Sequence, residues 1–216
     1  MYLIDNFLSD ETCDRLKAQI DMIPFVDGAS TVNAILKNVK KNYQMDEVKG
    51  QTVLDQLKQF ILTDQRIRRI AMPKAVTRML VNRHDIGMEY GFHTDLSIVN
   101  GMRCDISFTI FLEEPGSYEG GELIVQDENG QKKIKGKRGS IFLYDAGFIH
   151  RVNPVTAGSR LACAGWIQSY IRDGEKRSVL RELASVYGSL STVDENSDIK
   201  LLFRRNLLRL ERLWYE

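Results

Sequence analysis

Apolar positions recur at helical spacing at both ends of the chain and at strand spacing in its middle. In the first zone, roughly 1–72, Cys13, Leu16, Ile20 and Ile23 succeed one another at steps of three and four. Ser9 precedes them as an N-cap, with Asp10 and Glu11 in the first turn, where carboxylates favour the unpaired N–H groups. Val53, Leu54, Leu57 and Phe60 or Ile61 form the buried face of a second helix over 50–62. Arg66, Arg68 and Arg69 suit a helix end, where cations oppose the dipole. Between the helices, 27–42 is polar and lysine-rich and reads as a loop or short strand at the surface.

From about 73 to 171 the pattern changes. Short β-branched and aromatic runs at 75–81, 106–112, 122–126, 140–144 and 161–167 are separated by turn residues. Gly120-Gly121, Asn129-Gly130, Asn153-Pro154 and Ala157-Gly158 mark the turns. Many short strands at this rhythm indicate a sandwich or jelly roll, not a parallel sheet. From 172 to 216 helix returns. Leu180, Leu183 and Tyr187 make one stripe; Phe203, Leu207, Leu210 and Trp214 make another, and both suit packing against the β-core. The three zones together read as one domain with an α+β, mainly β, architecture.

Composition narrows the class. A chain of 216 residues with 43% hydrophobic and 27% charged positions can bury a full core. Lys+Arg 30 against Asp+Glu 29 leaves a net charge of +1, so nothing points to a nucleic-acid scaffold. Cys13, Cys104 and Cys163 are scattered and odd in number, which fits reduced, buried thiols. The apolar run at the N-terminus breaks at Asp5 with no basic region before it, and 161–171 is too short to span a bilayer. A soluble, cytoplasmic protein is expected.

Chemistry concentrates in few residues. The chain has three histidines, and two of them fall in His93-Thr94-Asp95 and His150, with Arg160 ten positions further on. On a strand, residues i and i+2 share a face, so His93 and Asp95 can reach one ion while His150 enters from another strand. Two imidazoles and a carboxylate suit Fe(II), although Mn, Co, Ni or Zn also accept such ligands. No cysteine stands near either histidine, so a closed structural zinc site is not indicated, and open coordination positions imply catalysis. Arg160 opens an otherwise apolar strand, and its planar fork matches the far carboxylate of a dicarboxylic co-substrate.

The run Asn82-Arg83-His84-Asp85-Ile86-Gly87-Met88-Glu89-Tyr90-Gly91-Phe92-His93-Thr94-Asp95 resembles the approach to the metal ligands in prolyl-4-hydroxylase-like Fe(II)/2-oxoglutarate dioxygenases, the PKHD-type hydroxylase group above all. Tyr118–Leu123, His150–Val155, Gly165–Ser169, Arg172-Asp173 and Asn206–Arg209 with Trp214 add to the likeness. It implies a double-stranded β-helix buttressed by helices at both ends. It also implies Fe(II) on His93, Asp95 and His150, the 5-carboxylate of 2-oxoglutarate on Arg160, O2 as oxidant and ascorbate as accessory reductant. The reaction implied is hydroxylation of an aliphatic carbon, first a prolyl residue in a peptide or protein. Related halogenases carry a small residue in place of the acid, so Asp95 argues for hydroxylation.

One departure stands out. Family members usually have Tyr where this chain has His84. That residue either donates a similar hydrogen bond to the co-substrate, with a charge that follows pH, or faces solvent. Ser107, Thr109 and Phe111 alternate on one strand face; they either line the pocket, with Thr109 at the co-substrate, or are ordinary barrel interior. Lys132, Lys133, Lys135, Lys137 and Arg138 read as a solvated hairpin. Rival readings are a hydroxylase of a free amino acid or other small metabolite, and a non-catalytic metal-binding jelly roll. No oligomeric state is indicated.

Overall fold

The computed structural model describes residues 1–31, 37–192, 194 and 197–216. Its strands are β1 (Tyr2–Ile4), β2 (Phe25–Asp27), β3 (Lys40–Lys41), β4 (Tyr43–Met45), β5 (Pro73–His84), β6 (Glu89–His93), β7 (Ile98–Val99) and β8 (Met102–Arg103). They continue with β9 (Ile106–Phe111), β10 (Glu119–Gly120), β11 (Leu123–Asp127), β12 (Gly130–Ile134), β13 (Ile141–Asp145), β14 (Ile149–Val152), β15 (Val155–Ala157) and β16 (Arg160–Ser169). Helices α1 (Asp10–Asp21), α2 (Gln51–Thr63) and α3 (Gln65–Ala71) precede the long strands; α4 (Gly174–Ser189) and α5 (Asp198–Trp214) follow them. The first zone, read as helical from its periodicity, thus also supplies four short strands. They are too short for a period of two to register.

Seven strands form a major sheet in the order β1-β13-β9-β16-β5-β4-β2, and five a minor sheet, β12-β11-β14-β6-β3. Every pairing is antiparallel. The chain passes from one sheet to the other and back through β9, β11, β13, β14 and β16, which winds the double-stranded β-helix of a jelly roll.

Alternation along the major-sheet strands sorts the two faces. Ile106, Phe108 and Ile110 of β9, with Leu161, Cys163 and Ile167 of β16, pack under Leu16 and Ile20 of α1 and Leu57 and Ile61 of α2. Their neighbours Ser107, Thr109, Arg160, Ala162 and Ala164 face a cavity between the sheets. A slip of one residue would exchange these sets, so burial of the helical layer holds the cavity face in register. Each fully buried leucine contributes about 1.5–3 kcal/mol to that layer. A second cluster, Phe111, Leu123, Val125, Phe142 and Tyr144, closes the space between the sheets.

One expectation at a helix end changes and one is met. Ser9 caps α1 as its sequence position implies, accepting from Thr12 N at 3.2 Å. Beyond α2, however, Asp64 starts a separate helix by accepting from Arg66 N (2.8 Å) and Ile67 N (3.2 Å). Arg66 is therefore at the N-terminal end of α3, where it pairs with the cap at 2.6 Å; only Arg68 and Arg69 lie in a last turn. The C-terminal stripes also pack differently. Helix α4 lies on α3 and reaches β1 where Arg181 stands over the Tyr2 ring, and α5 lies on α4, Tyr187 stacking on Phe203 at 6.0 Å. The far end of α5 is tied down by Glu216 N donating to Tyr170 O at 2.8 Å.

Candidate metal centre and active-site cavity

His93 and His150 are direct cross-strand partners of β6 and β14, which brings their rings to 4.2 Å between centroids. Each Nδ1 lies against a backbone carbonyl two residues earlier, Gly91 O at 2.8 Å and Phe148 O at 2.9 Å. A carbonyl only accepts, so both Nδ1 atoms carry a proton, and the Nε2 atoms are the ring nitrogens left to face a metal. Burial, and then the neighbouring His150, pushes the His93 pKa down to about 4, so the ring is neutral at pH 7.

Asp95 is not on a strand. Strand β6 ends at His93, and what sets the carboxylate is Ser107 Oγ of β9, which donates to Oδ2 at 2.6 Å. The same oxygen stands 3.7 Å from His150 Nε2. Ligand atoms of His93, Asp95 and His150 all lie within 4.8 Å of one another, a spacing that fits three sites on one divalent ion.

Arg160 and His84 are likewise cross-strand partners, on β16 and β5. Both side chains line the same cavity of about 400 Å³ as the triad, and Ala162 and Ala164 give it a low floor next to Arg160. The Arg160 guanidinium donates to the Tyr118 hydroxyl and stands 5.9 Å over the Phe111 ring. Its stem passes Gly121, where a Cβ would lie 3.0 Å from Arg160 Cδ at a φ of 64° that only glycine adopts freely. Burial lowers the Arg160 pKa, but from so high a value that the charge remains.

His84 is buried (2% exposed), which overturns the solvent-facing alternative. Burial, then Arg160 and Lys40, hold its pKa well below the usual 6.5, so the imidazole is neutral and carries no pH-dependent charge in the physiological range. Neither ring nitrogen has a partner, and Arg160 Nε, Gln44 Oε1 and Trp166 Nε1 are in the same condition. A buried polar atom left unpaired costs about 1–3 kcal/mol, so several of them around one cavity fit a polar ligand. Thr109 and Ser107 face that cavity, and Phe111 packs beneath Arg160. Tyr144, kept protonated because burial raises its pKa far above 10, hydrogen-bonds with Ser107 and Thr109 and meets His150 edge-on at 5.2 Å.

Of the segment 27–42, residues 32–36 lie outside the described residues; Asp27, Ser30, Lys37, Asn38 and Lys41 are exposed as expected, and Lys40 and Asn42 are not. Lys40 and Asn42 are each 4% exposed, and with Gln44 they alternate along one strap that faces the cavity. Asn82 Oδ1 accepts from Asn42 Nδ2 (3.1 Å) and Gln44 Nε2 (2.9 Å), a buried amide cluster. The available signal was the alternation Lys40-x-Asn42-x-Gln44 itself, which polarity disguised as surface. Lys132, Lys133 and Lys137 are exposed as expected, Lys132 pairing with Asp127 at 2.9 Å and Lys133 with Glu122 at 2.8 Å, but half-buried Lys135 donates to Tyr118 O at 2.7 Å. Arg138 instead sits under α1, bonded to Asp14 at 2.6 Å. All three cysteines are buried and free.

A jelly roll that presents two histidines and an acid beside a buried arginine defines the non-haem oxygenases of the double-stranded β-helix type. Comparison with known proteins narrows this. The family described as the 2OG-Fe(II) oxygenase superfamily matches residues 79–168. A PKHD-type hydroxylase of Picosynechococcus sp. is 35% identical over 100% of this chain and 99% of its own length. The PKHD-type hydroxylase YbiX of Escherichia coli is 38% identical over 97% of each chain. Among solved structures, a Trichoplax adhaerens prolyl hydroxylase in complex with a hypoxia inducible factor peptide fragment aligns with a TM-score of 0.54 at 20% identity, covering 83% of this chain and 86% of that one. The chain belongs to the 2OG-Fe(II) oxygenase superfamily, among its PKHD-type hydroxylases. It is a dioxygenase, and its cofactors are Fe(II), 2-oxoglutarate and O2. No described helix is long and apolar enough to cross a membrane.

Proposed function

We propose that the protein hydroxylates an aliphatic carbon of a prolyl residue in a peptide or protein. In this reading His93, Asp95 and His150 hold Fe(II), and Arg160 pairs with the 5-carboxylate of 2-oxoglutarate. The observation that carries it is one cavity shared by the three ligand side chains and the buried arginine. When bound, the iron would let O2 oxidise both reactants, one oxygen atom passing to 2-oxoglutarate as it loses CO2 to give succinate and the other to the substrate carbon as its hydroxyl. The residues of the chain orient the reactants and keep side reactions out. The Nδ1–H bonds to Gly91 and Phe148 aim the imidazoles, and Ser107 aims the carboxylate. Neutral His84 and Thr109 donate to the co-substrate beside Arg160. The names of the PKHD-type relatives support hydroxylation, and the prolyl hydroxylase of Trichoplax adhaerens in complex with a peptide fragment supports a prolyl substrate.

The enclosed polar wall at Lys40, Asn42 and Gln44 favours a second reading, a free amino acid or small metabolite. Both are tested by loading the protein with iron without oxygen, then exposing it to air with 2-oxoglutarate and a panel of proline-containing peptides and free amino acids. Succinate that increases with a peptide supports the prolyl reading; increase with an amino acid alone supports the second. A chain that binds metal but not 2-oxoglutarate would be a non-catalytic jelly roll.

A further inference from the structure

One ligand histidine lies against electron-rich aromatic carbon. The Tyr90 ring stacks face to face on the His93 imidazole, with centroids 3.6 Å apart and planes 16° from parallel. It lines the same cavity as His93, Asp95 and His150. Its backbone is held on both sides, by Val152 of β14 and by Lys40 of β3, so the ring stays over the histidine. A phenol is longer than an imidazole and overhangs the ring it covers. Burial, and then the Asp95 carboxylate, push the Tyr90 pKa up to about 12, so the hydroxyl stays protonated and lies within electrostatic reach of a second ligand.

The other aromatic side chains of the cavity stand differently. Among the described phenylalanines, tyrosines and tryptophans, only Tyr90 and Tyr144 make ring contacts with a ligand histidine. Tyr144 does so edge-on at 5.2 Å, with its hydroxyl engaged by Ser107 and Thr109. Tyr90 thus presents the oxidisable ring that lies closest against the triad.

Resting on the oxygenase reading above, we propose that Tyr90 is a self-hydroxylation site, which takes up an oxygen atom when no substrate carbon is in place to receive it. O2 and 2-oxoglutarate are consumed as in the main reaction. The O–O bond and the bond between the carboxylate and keto carbons of 2-oxoglutarate break, CO2 leaves, and one oxygen atom ends in succinate. The other oxygen replaces a ring C–H bond of Tyr90 by C–OH, and the hydrogen displaced from carbon is retained as the new hydroxyl proton. Two electrons come from 2-oxoglutarate and two from the C–H bond. The carbon attacked is the one beside the phenol hydroxyl, which donates electron density to it, and the product is a catechol side chain at position 90. A substrate seated in the cavity takes the oxygen instead, so the modification records turnover without substrate.

The test loads the protein with Fe(II) without oxygen, adds 2-oxoglutarate and catalase, and admits isotopically heavy O2 with no substrate. Succinate is measured, the intact chain is stained for catechol, and a digest is read by mass spectrometry. One heavy oxygen atom should appear on the Tyr90 side chain, and only when 2-oxoglutarate is present. Tyr90→Phe should bind 2-oxoglutarate with unchanged affinity in calorimetry and lose the catechol stain, since one oxygen atom on a phenyl ring gives only a phenol. Oxygen gained equally by the exposed Tyr170 and Tyr215 would show an oxidant released to solvent and overturn the site. Gain at Tyr144 or Trp166 in place of Tyr90 would overturn it too. Succinate without any gain on the chain, or bound 2-oxoglutarate without succinate, has the same consequence. Failure of 2-oxoglutarate to bind the wild type would instead overturn the role of Arg160, and calorimetry shows it separately.

Discussion

At the scale of the residue, the site is built from pairs that strand register places opposite each other. His93 faces His150, Arg160 faces His84 and Lys40 faces Tyr90. Asp95 is the exception, placed by a hydrogen bond from Ser107. Asp95→Ala is expected to abolish turnover and weaken Fe(II) binding with little change in melting temperature; a variant that still turns over would remove Asp95 from the ligand set. Arg160→Ala should mainly raise the 2-oxoglutarate concentration needed for half-maximal succinate formation, and an unchanged requirement would refute its pairing with the co-substrate. Because His84 is held neutral, 2-oxoglutarate affinity should show no His84-dependent change between about pH 6.5 and 8. A pH dependence in that window that vanishes in His84→Tyr would contradict this.

At the scale of the element, helices hold the cavity without touching it. Leu57 of α2 is fully buried against the back of the major sheet. Leu57→Ala should cost about 2–5 kcal/mol of stability in denaturant unfolding while leaving metal affinity intact below the transition. The β11–β12 hairpin offers a pH test. Burial alone would raise the Glu122 pKa, but hydrogen bonds from Lys133 (2.8 Å) and Asn153 Nδ2 (3.0 Å) outweigh it and bring the pKa down to about 2. A lowered folded-state pKa means stability present above the ordinary carboxylate range and lost as pH falls from about 4.5 towards 2. Glu122→Gln should flatten that part of the stability curve; an unaltered acid limb would show that Glu122 does not contribute.

The elements themselves were legible to different degrees. The long strands and α1 were readable because one face of each is apolar over several turns or pleats. Strands of two or three residues, such as β3 and β4, carry too few positions for a period. The boundary between α2 and α3 turns on a single side chain, Asp64, which caps a new helix where three arginines had suggested a helix end. For α5, an amphipathic stripe announces that something is covered but not by what.

At the scale of the whole molecule, the metal site joins segments that are far apart in sequence, so its occupation should stabilise the jelly roll by linkage. A metal at about one hundred times its dissociation constant adds about 2.7 kcal/mol. Co(II) or Ni(II) should therefore raise the melting temperature, EDTA should reverse the rise, and His150→Ala should abolish it. An equal rise in the variant would place the metal elsewhere.

By itself the amino-acid sequence determined the kind of protein this is: strand rhythm in the middle, helices at the ends, and His93, Asp95, His150 and Arg160 at a spacing whose chemistry suits a divalent metal and a dicarboxylate. These are properties of local pattern and residue type, which need no partner in space to be seen. Tertiary structure alone decided which residues meet in the cavity. Lys40, Asn42, Gln44 and His84 are polar, and polarity implies solvent until a sheet closes over it. Only the pairing of strands shows that they face inward, buried and neutral or charged according to what lies opposite.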